Sequence, residues 1–225
     1  NNKDHPLVEG MLDYEVQCEF CEIYNNNLKD LLDLNNKPEI REFCINAHKD
    51  EWRVILKNVQ RRKVRNLGEV LTAIRFASKH RTVAGTNLNA TSSRSHMIMR
   101  LFVTVTTADG KRTGIANFSD LAGSEKVKKT GAKGQQLKEA QNILLSLSSL
   151  SRTIEAIVKG AKNPPFKDSK LTFLLKDSLG GNCKTALLIA ASPHVFNRDE
   201  TVRSLQFGER CRKIQNKAKI NTVRT

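Results

Sequence analysis

The chain has 225 residues, 39% of them hydrophobic, which is enough for one sizeable domain with its own core; no repeat, low-complexity block or linker divides it. A formal charge of +15 favours a polyanionic partner, whether nucleic acid, membrane surface or acidic protein filament, and charge does not choose among them. No run approaches the roughly 18 apolar residues of a membrane span, and the polar start NNKDHP is no signal peptide, so an intracellular protein with no membrane partner is expected.

Tyr14 to Tyr24 alternates Tyr14, Val16, Cys18 and Phe20 with Glu15, Gln17 and Glu19, which predicts a strand. The five cysteines are an odd, scattered set, as expected for reduced core thiols. Cys18 and Cys21 form a CxxC, but an offset of three on a strand points them to opposite faces, and no second CxxC or HxxxH exists to complete a metal site. Asn25 to Asn27 breaks the strand, and LKDLLDL then reads as a short helical piece ended by Asn35, Asn36 and Pro38. From Ile40 to Val59 the pattern is irregular, with short strands or hairpins around Phe43 and Val54 to Leu56. The basic stretch of Arg61, Arg62, Lys63 and Arg65 reads as a solvated loop.

Leu67, Val70, Leu71, Ile74 and Ala77 follow helical spacing and predict an amphipathic helix ending near His80. Beyond the loop NATSSRSH, Met97 to Thr107 reads as a strand, turned by Ala108, Asp109 and Gly110 into Gly114 to Phe118. Asp-Gly between two β-rich runs signals a hairpin. A long helix is expected from Gln135 to Lys159, with Leu137, Ala140, Ile143, Leu144, Leu147, Ile154 and Val158 inward and Gly160 as its cap. Asp168 or Ser169 can cap a further helix reaching about Leu179, where Gly180 and Gly181 stop it. Thr185 to Ser192, TALLIAAS, predicts a fully buried strand ended by Pro193, and Asp199 begins a last helix to about Asn216.

Two polar strings organise the rest. FSDLAGSE, Phe118 to Glu125, follows the apolar run Gly114 to Phe118; read as a buried parallel strand, that run would present Asp120 at its carboxyl end, facing a site. NATSSRSH, Asn89 to His96, gathers short hydroxyl and amide side chains around one arginine. Together they resemble the two switch segments of the kinesin motor domain, NxxSSRSH and DLAGSE. EIYNNNLKDLL, the run from Arg81 to His96, EKVKKTGAKGQQLKEAQNI, FKDSKLT, LLKDSLGGNCKT and FGERCRKIQN also look like kinesin segments, in kinesin order. The resemblance implies an α/β, P-loop NTPase-like motor fold with a central, mostly parallel sheet flanked by helices. Residues 1–216 would be a partial motor domain and 217–225 the start of a neck linker. The implied activity is microtubule-stimulated hydrolysis of ATP to ADP, coupled to movement along microtubules in the cytoplasm and cytoskeleton.

By resemblance, Ser93 and Asp120 would hold Mg2+, the latter through one of the waters this ion keeps. Gly123, without a side chain, would bring its N–H to the γ-phosphate. Asn89 and Ser92 would orient phosphate oxygens and the attacking water, and Arg94 and Glu125 would pair as a latch when the switches close. Such a site also needs a glycine-rich loop, GxxxxGK[ST], which the sequence does not contain; GGNCKT at Gly180 to Thr185 is the nearest string and lacks the spacing. The chain is therefore expected to lack the N-terminal third of a motor domain, P-loop included, with a non-catalytic, filament-binding pseudo-kinesin as the alternative.

Kinesins bind tubulin through the segment after DLAGSE, the long helix, the next loop and the helix beyond. Here Lys126 to Lys170 carries ten lysines and arginines against three acids, a balance of +7 suited to tubulin's acidic surface. Lys126, Lys128, Lys129, Lys133, Lys159, Lys162, Lys167 and Lys170 are the candidate contacts. The long helix departs from the family: NILLSLSSLS puts Leu144 and Leu145 where many kinesins have a polar pair and Ser151 where they have glycine, and Ser119 stands where valine is common. KIQNKAKIN resembles a last helix running into a neck linker, which implies plus-end movement and a homodimer through a coiled coil outside this chain. Direct nucleic-acid binding is not expected, for no zinc spacing, RNP-like motif or reading helix accompanies an aromatic content of 5%.

Overall fold

The computed structural model describes residues 11–46, 51–81, 94–124, 135–219 and 222–223. Strand β1 (Met11–Tyr24) turns at Asn25 and Asn26 into β2 (Asn27–Asp30). Both turn residues have positive φ, 50° and 57°, the conformation a two-residue hairpin asks for and asparagine tolerates. The helical piece expected over LKDLLDL is therefore a strand and a turn. Asp30, fully buried, explains why: its carboxylate accepts from the backbone N–H of Leu32 (2.9 Å), Asp33 (3.3 Å) and Gln60 (2.6 Å) and from the Asn36 amide (2.8 Å). Those bonds fold the chain after β2 into a loop and release Leu31 and Leu32 into the core.

β3 (Glu39–Asn46) and β4 (Glu51–Lys57) form the expected hairpin as a separate two-stranded sheet. The basic stretch that follows is not a solvated loop: β5 (Arg62–Lys63) pairs with β1, and the Arg61 Nε lies 2.9 Å from the buried Glu19 carboxylate. Asn66 caps α1 (Leu67–His80) by accepting from the Glu69 N–H. Of the expected stripe, Val70, Ile74 and Ala77 face the core, joined by Ala73, whereas Leu67 and Leu71 are exposed.

β6 (His96–Thr107) and β7 (Gly110–Asp120) form the Asp-Gly hairpin, and β1, β6 and β7 lie side by side. All strand pairings among the described residues are antiparallel, which corrects the expectation of a mostly parallel sheet while leaving the α/β class intact. β1 and β6 pack one core on each face: Cys18, Phe20 and Met99 meet α1, while Cys21, Ile23 and Ile98 meet α2 (Gln135–Val158) and α3 (Lys170–Leu174). The two cysteines of the CxxC thus enter different cores, as strand alternation requires.

α2 buries Ile143, Leu150 and Ile154 together with Ser146, Ser149 and Thr153, while Leu137, Leu145 and Val158 are exposed. The inward stripe expected on this helix is therefore only partly apolar. Gly160, with φ of 71°, ends the helical turn. Ser169 begins α3 with a reciprocal cap against Thr172, and short 3-10 turns at Phe166–Asp168 and Lys176–Ser178 flank it, so the expected continuous helix to Leu179 is broken.

Thr185 to Ser192 is not the buried strand that composition predicts. The segment pairs with no strand among the described residues, Leu188 is 95% exposed, and Ile189 packs on Gly208 of α4 (Arg198–Arg212). β7 is likewise paired on one side by β6 and on the other only at Lys111 and Arg112, by β8 (Thr222–Val223), and its residues are largely exposed, Phe118 among them. Strands are buried where other elements cover them, and among the described residues β7 has a full-length partner on one side only and Thr185 to Ser192 has none. α4 follows a 3-10 turn at Val195–Asn197 and ends before the expected Asn216.

Candidate functional site

The β6–β7 register pairs Met97 with Asp120, so the start of one strand and the end of the other lie together. This antiparallel juxtaposition, rather than the ends of parallel strands, brings the tail of SSRSH beside the start of DLAGSE. Arg81, at the C-terminal end of α1, closes the group from a third element. Its guanidinium donates to Asp120 Oδ2 at 2.7 Å, to Ser95 Oγ at 3.2 Å and to the Ser95 carbonyl at 2.9 Å. The Arg81 side chain is 11% exposed and that of Asp120 67%, so a nearly buried cation holds a carboxylate open to solvent. Screening limits the ion pair itself to about 1 kcal/mol or less; its orientation of Asp120 matters more than its energy.

Behind this pair, His96 is buried. Its Nδ1 accepts from the Ala122 N–H at 3.0 Å, and its Nε2 lies 2.8 Å from Ser146 Oγ on α2. Burial, reinforced by the Arg81 guanidinium, pulls the imidazole pKa down to about 4, so the ring is neutral at physiological pH. Gly123 follows the anchored Ala122, and Arg94, half-buried, precedes Ser95 and His96.

Of the expected site residues, Asp120, Gly123 and Arg94 come to this one end of the sheet. Asn89, Ser92, Ser93 and Glu125 lie outside the described residues, as do Lys126, Lys128, Lys129 and Lys133. Arg81, His96 and Ser146 received no role from the sequence. His96 ends a motif already singled out, and Ser146 interrupts an apolar stripe; both were visible signals. Arg81, 39 residues from Asp120, only begins a run that resembles kinesin, with nothing local to name its partner.

A family model, kinesin motor domain, matches residues 3–214. The chain belongs to the kinesin motor family. It is 41% identical to kinesin-related protein 5 of Dictyostelium discoideum over 215 residues, covering 95% of this chain and 21% of that protein. Over 221 residues it is 40% identical to the human kinesin-1 heavy chain, covering 97% of this chain and 22% of that one. The chain thus spans about a fifth of the length of these kinesins. A solved fast kinesin superposes with a TM-score of 0.81 at 39% identity, covering 95% of this chain and 60% of its own. A KIF14 dimer in complex with AMP-PNP and a microtubule superposes with a TM-score of 0.83 at 31% identity, covering 96% and 62%.

On the basic side of this kinesin domain, Lys159 pairs with Glu155 at 2.6 Å, and Lys167 lies 3.1 Å from Glu42 on β3. Lys176 donates to the same Glu42 carboxylate, and the two lysines hold its pKa below the usual range. Lys162 is exposed, while the Lys170 N–H bonds Asn26 at 3.2 Å and ties α3 to the β1–β2 turn. The β3–β4 hairpin is therefore joined to the basic face, a neighbour the sequence does not reveal. Leu145 is 60% exposed on α2, and Leu144 is half-buried, so only one of the two leucines that depart from the kinesin pattern points fully outward.

Proposed function

We propose that the protein carrying this chain is a microtubule motor that hydrolyses ATP, with the group at the β6 start and β7 end as the part that senses nucleotide. What supports the reading is the β6–β7 register, which sets Asp120 opposite Met97 and so leaves Arg94 before β6 and Gly123 after β7 at the same end of the sheet, within a chain that matches the kinesin motor domain over residues 3–214.

The group fits a magnesium nucleotide. Asp120 is a hard oxygen donor exposed at a strand end, and the adjacent Arg81 can balance phosphate charge. Asp120 and Ser93 would hold the metal, which when bound neutralises charge on the phosphate oxygens. The Gly123 N–H would donate to the terminal phosphate, and Asn89 and Ser92 would orient the attacking water. Arg94 and Glu125 would close as a guanidinium–carboxylate pair that aligns the attacking water, with the Glu125 carboxylate accepting the water's proton and passing it onward. The basic loop of Lys126, Lys128, Lys129 and Lys133, with Lys159, Lys162, Lys167 and Lys170, would meet the acidic track. Residues 217–225 would begin a neck linker leading to a coiled-coil homodimer at work on the cytoplasmic cytoskeleton.

The test is ATP turnover by the full-length protein with and without microtubules, paired with co-sedimentation at rising salt. Stimulated turnover, with binding that weakens as salt rises, is expected. Co-sedimentation without any turnover would replace the motor by the pseudo-kinesin. Gliding on polarity-marked microtubules checks the expected plus-end direction.

A further inference from the structure

His96 is a buried titratable group that none of these roles uses. It is 2% exposed and stands where three elements meet: the start of β6, the chain just past β7 and the middle of α2. The Ala122 N–H can only donate, so Nδ1 is bare and the neutral ring carries its proton on Nε2. That proton goes to Ser146 Oγ, whose own hydroxyl donates to the Ile143 carbonyl at 2.7 Å. Both ring nitrogens are thus satisfied in one tautomer, and each bond runs to a different element.

The consequence is mechanical. Ala122 is one peptide before Gly123, and Ser146 lies on the helix whose outer face presents Leu145. Between them stands a rigid planar ring, buried and held at both nitrogens. If the Ala122 backbone shifts, either the ring moves and α2 with it, or a buried hydrogen bond breaks.

We propose that His96 is a positioning residue which couples the Ala122–Gly123 backbone to α2 through Ser146. The inference rests on the motor reading and deepens it: a displacement at the nucleotide end of the sheet and one at the track-facing helix become a single event. His96 touches neither nucleotide nor track.

The experiment uses the full-length protein and three variants. Ser146→Ala removes the acceptor of the Nε2 proton; His96→Asn keeps an acceptor near Ala122 and is too short to reach Ser146; Ser146→Thr keeps the hydroxyl. Turnover is measured against microtubule concentration, alongside thermal melting. Ser146→Ala and His96→Asn are expected to lower turnover at saturating microtubules about fivefold or more, the low end of ordinary coupling between sites, with the half-saturating concentration changed less than about twofold. Ser146→Thr should restore it.

Wild-type microtubule-saturated turnover in Ser146→Ala would overturn the coupling, as would a loss no larger than the unfolded fraction accounts for. A wild type that microtubules do not stimulate would overturn the motor reading itself, and the coupling with it. Independently of turnover, the 15N spectrum of the His96 ring should show the Nε2–H tautomer, and an Nδ1–H tautomer would overturn the proposal directly.

Discussion

Removing Arg100 from β6 should destabilise the domain strongly, and the structure sets the size of the effect. Arg100 and Glu19, with side chains 6% and 1% exposed, face each other across β1 and β6 at 3.2 Å. Arg61 reaches the other carboxylate oxygen at 2.9 Å with a side chain 42% exposed, and both guanidinium groups lie over the Phe102 ring, at 4.1 and 5.2 Å. Burial lowers the Arg100 pKa, and Glu19 offsets that only in part. Arg100→Met therefore leaves a buried carboxylate with one half-exposed partner. Breaking a buried pair costs about 3–5 kcal/mol, and the remaining Arg61 points to the lower figure, about 3 kcal/mol. For a domain of this size that corresponds to a melting point lower by about 6–12 °C. Calorimetry on Arg100→Met, Glu19→Leu and the double variant measures it. The double variant should be more stable than additivity of the singles allows, by about 2 kcal/mol. A single-variant melting point within about 2 °C of wild type, or strict additivity, would refute the reasoning, because the carboxylate would then be solvated or held by Arg61 alone.

His96 makes stability depend on pH. Its folded pKa of about 4 lies below the ordinary 6.5, so the unfolded chain binds more protons between those values. The contribution is whole above pH 6.5 and is lost as pH falls through the folded value, by about 2 kcal/mol at pH 5. Melting points from pH 7.5 to 5 should fall less steeply in His96→Asn than in wild type. Ser169→Ala removes the cap whose Oγ accepts from the Thr172 N–H at 3.1 Å and should cost about 1 kcal/mol, read as a denaturant midpoint shift. Arg94→Ala or Glu125→Ala should leave nucleotide binding in place and reduce microtubule-stimulated turnover at least about a hundredfold. Wild-type turnover in either variant would remove the latch from the mechanism.

Where local rules sufficed, the elements follow from the sequence. Helical spacing and the Asn66 cap define α1, Asp109 and Gly110 define the β6–β7 hairpin, and strand alternation sends Cys18 and Cys21 to opposite cores. The motif strings also marked Arg94, Asp120 and Gly123, and the register of two neighbouring strands brings these to one end of the sheet.

Tertiary structure decided what depends on distant partners. LKDLLDL has helical composition, yet Asp30 spends its carboxylate on four donors, one of them 30 residues away, and the segment becomes strand and loop. TALLIAAS has a strand's composition, but burial comes from flanking strands, which it does not have among the described residues. Arg61 reads as solvated until Glu19, 42 residues earlier, claims it. The bond from His96 to Ser146 spans 50 residues. Periodicity and capping act within a few residues of chain, whereas a buried charge or ring nitrogen takes whatever partner the packed fold brings within hydrogen-bond reach.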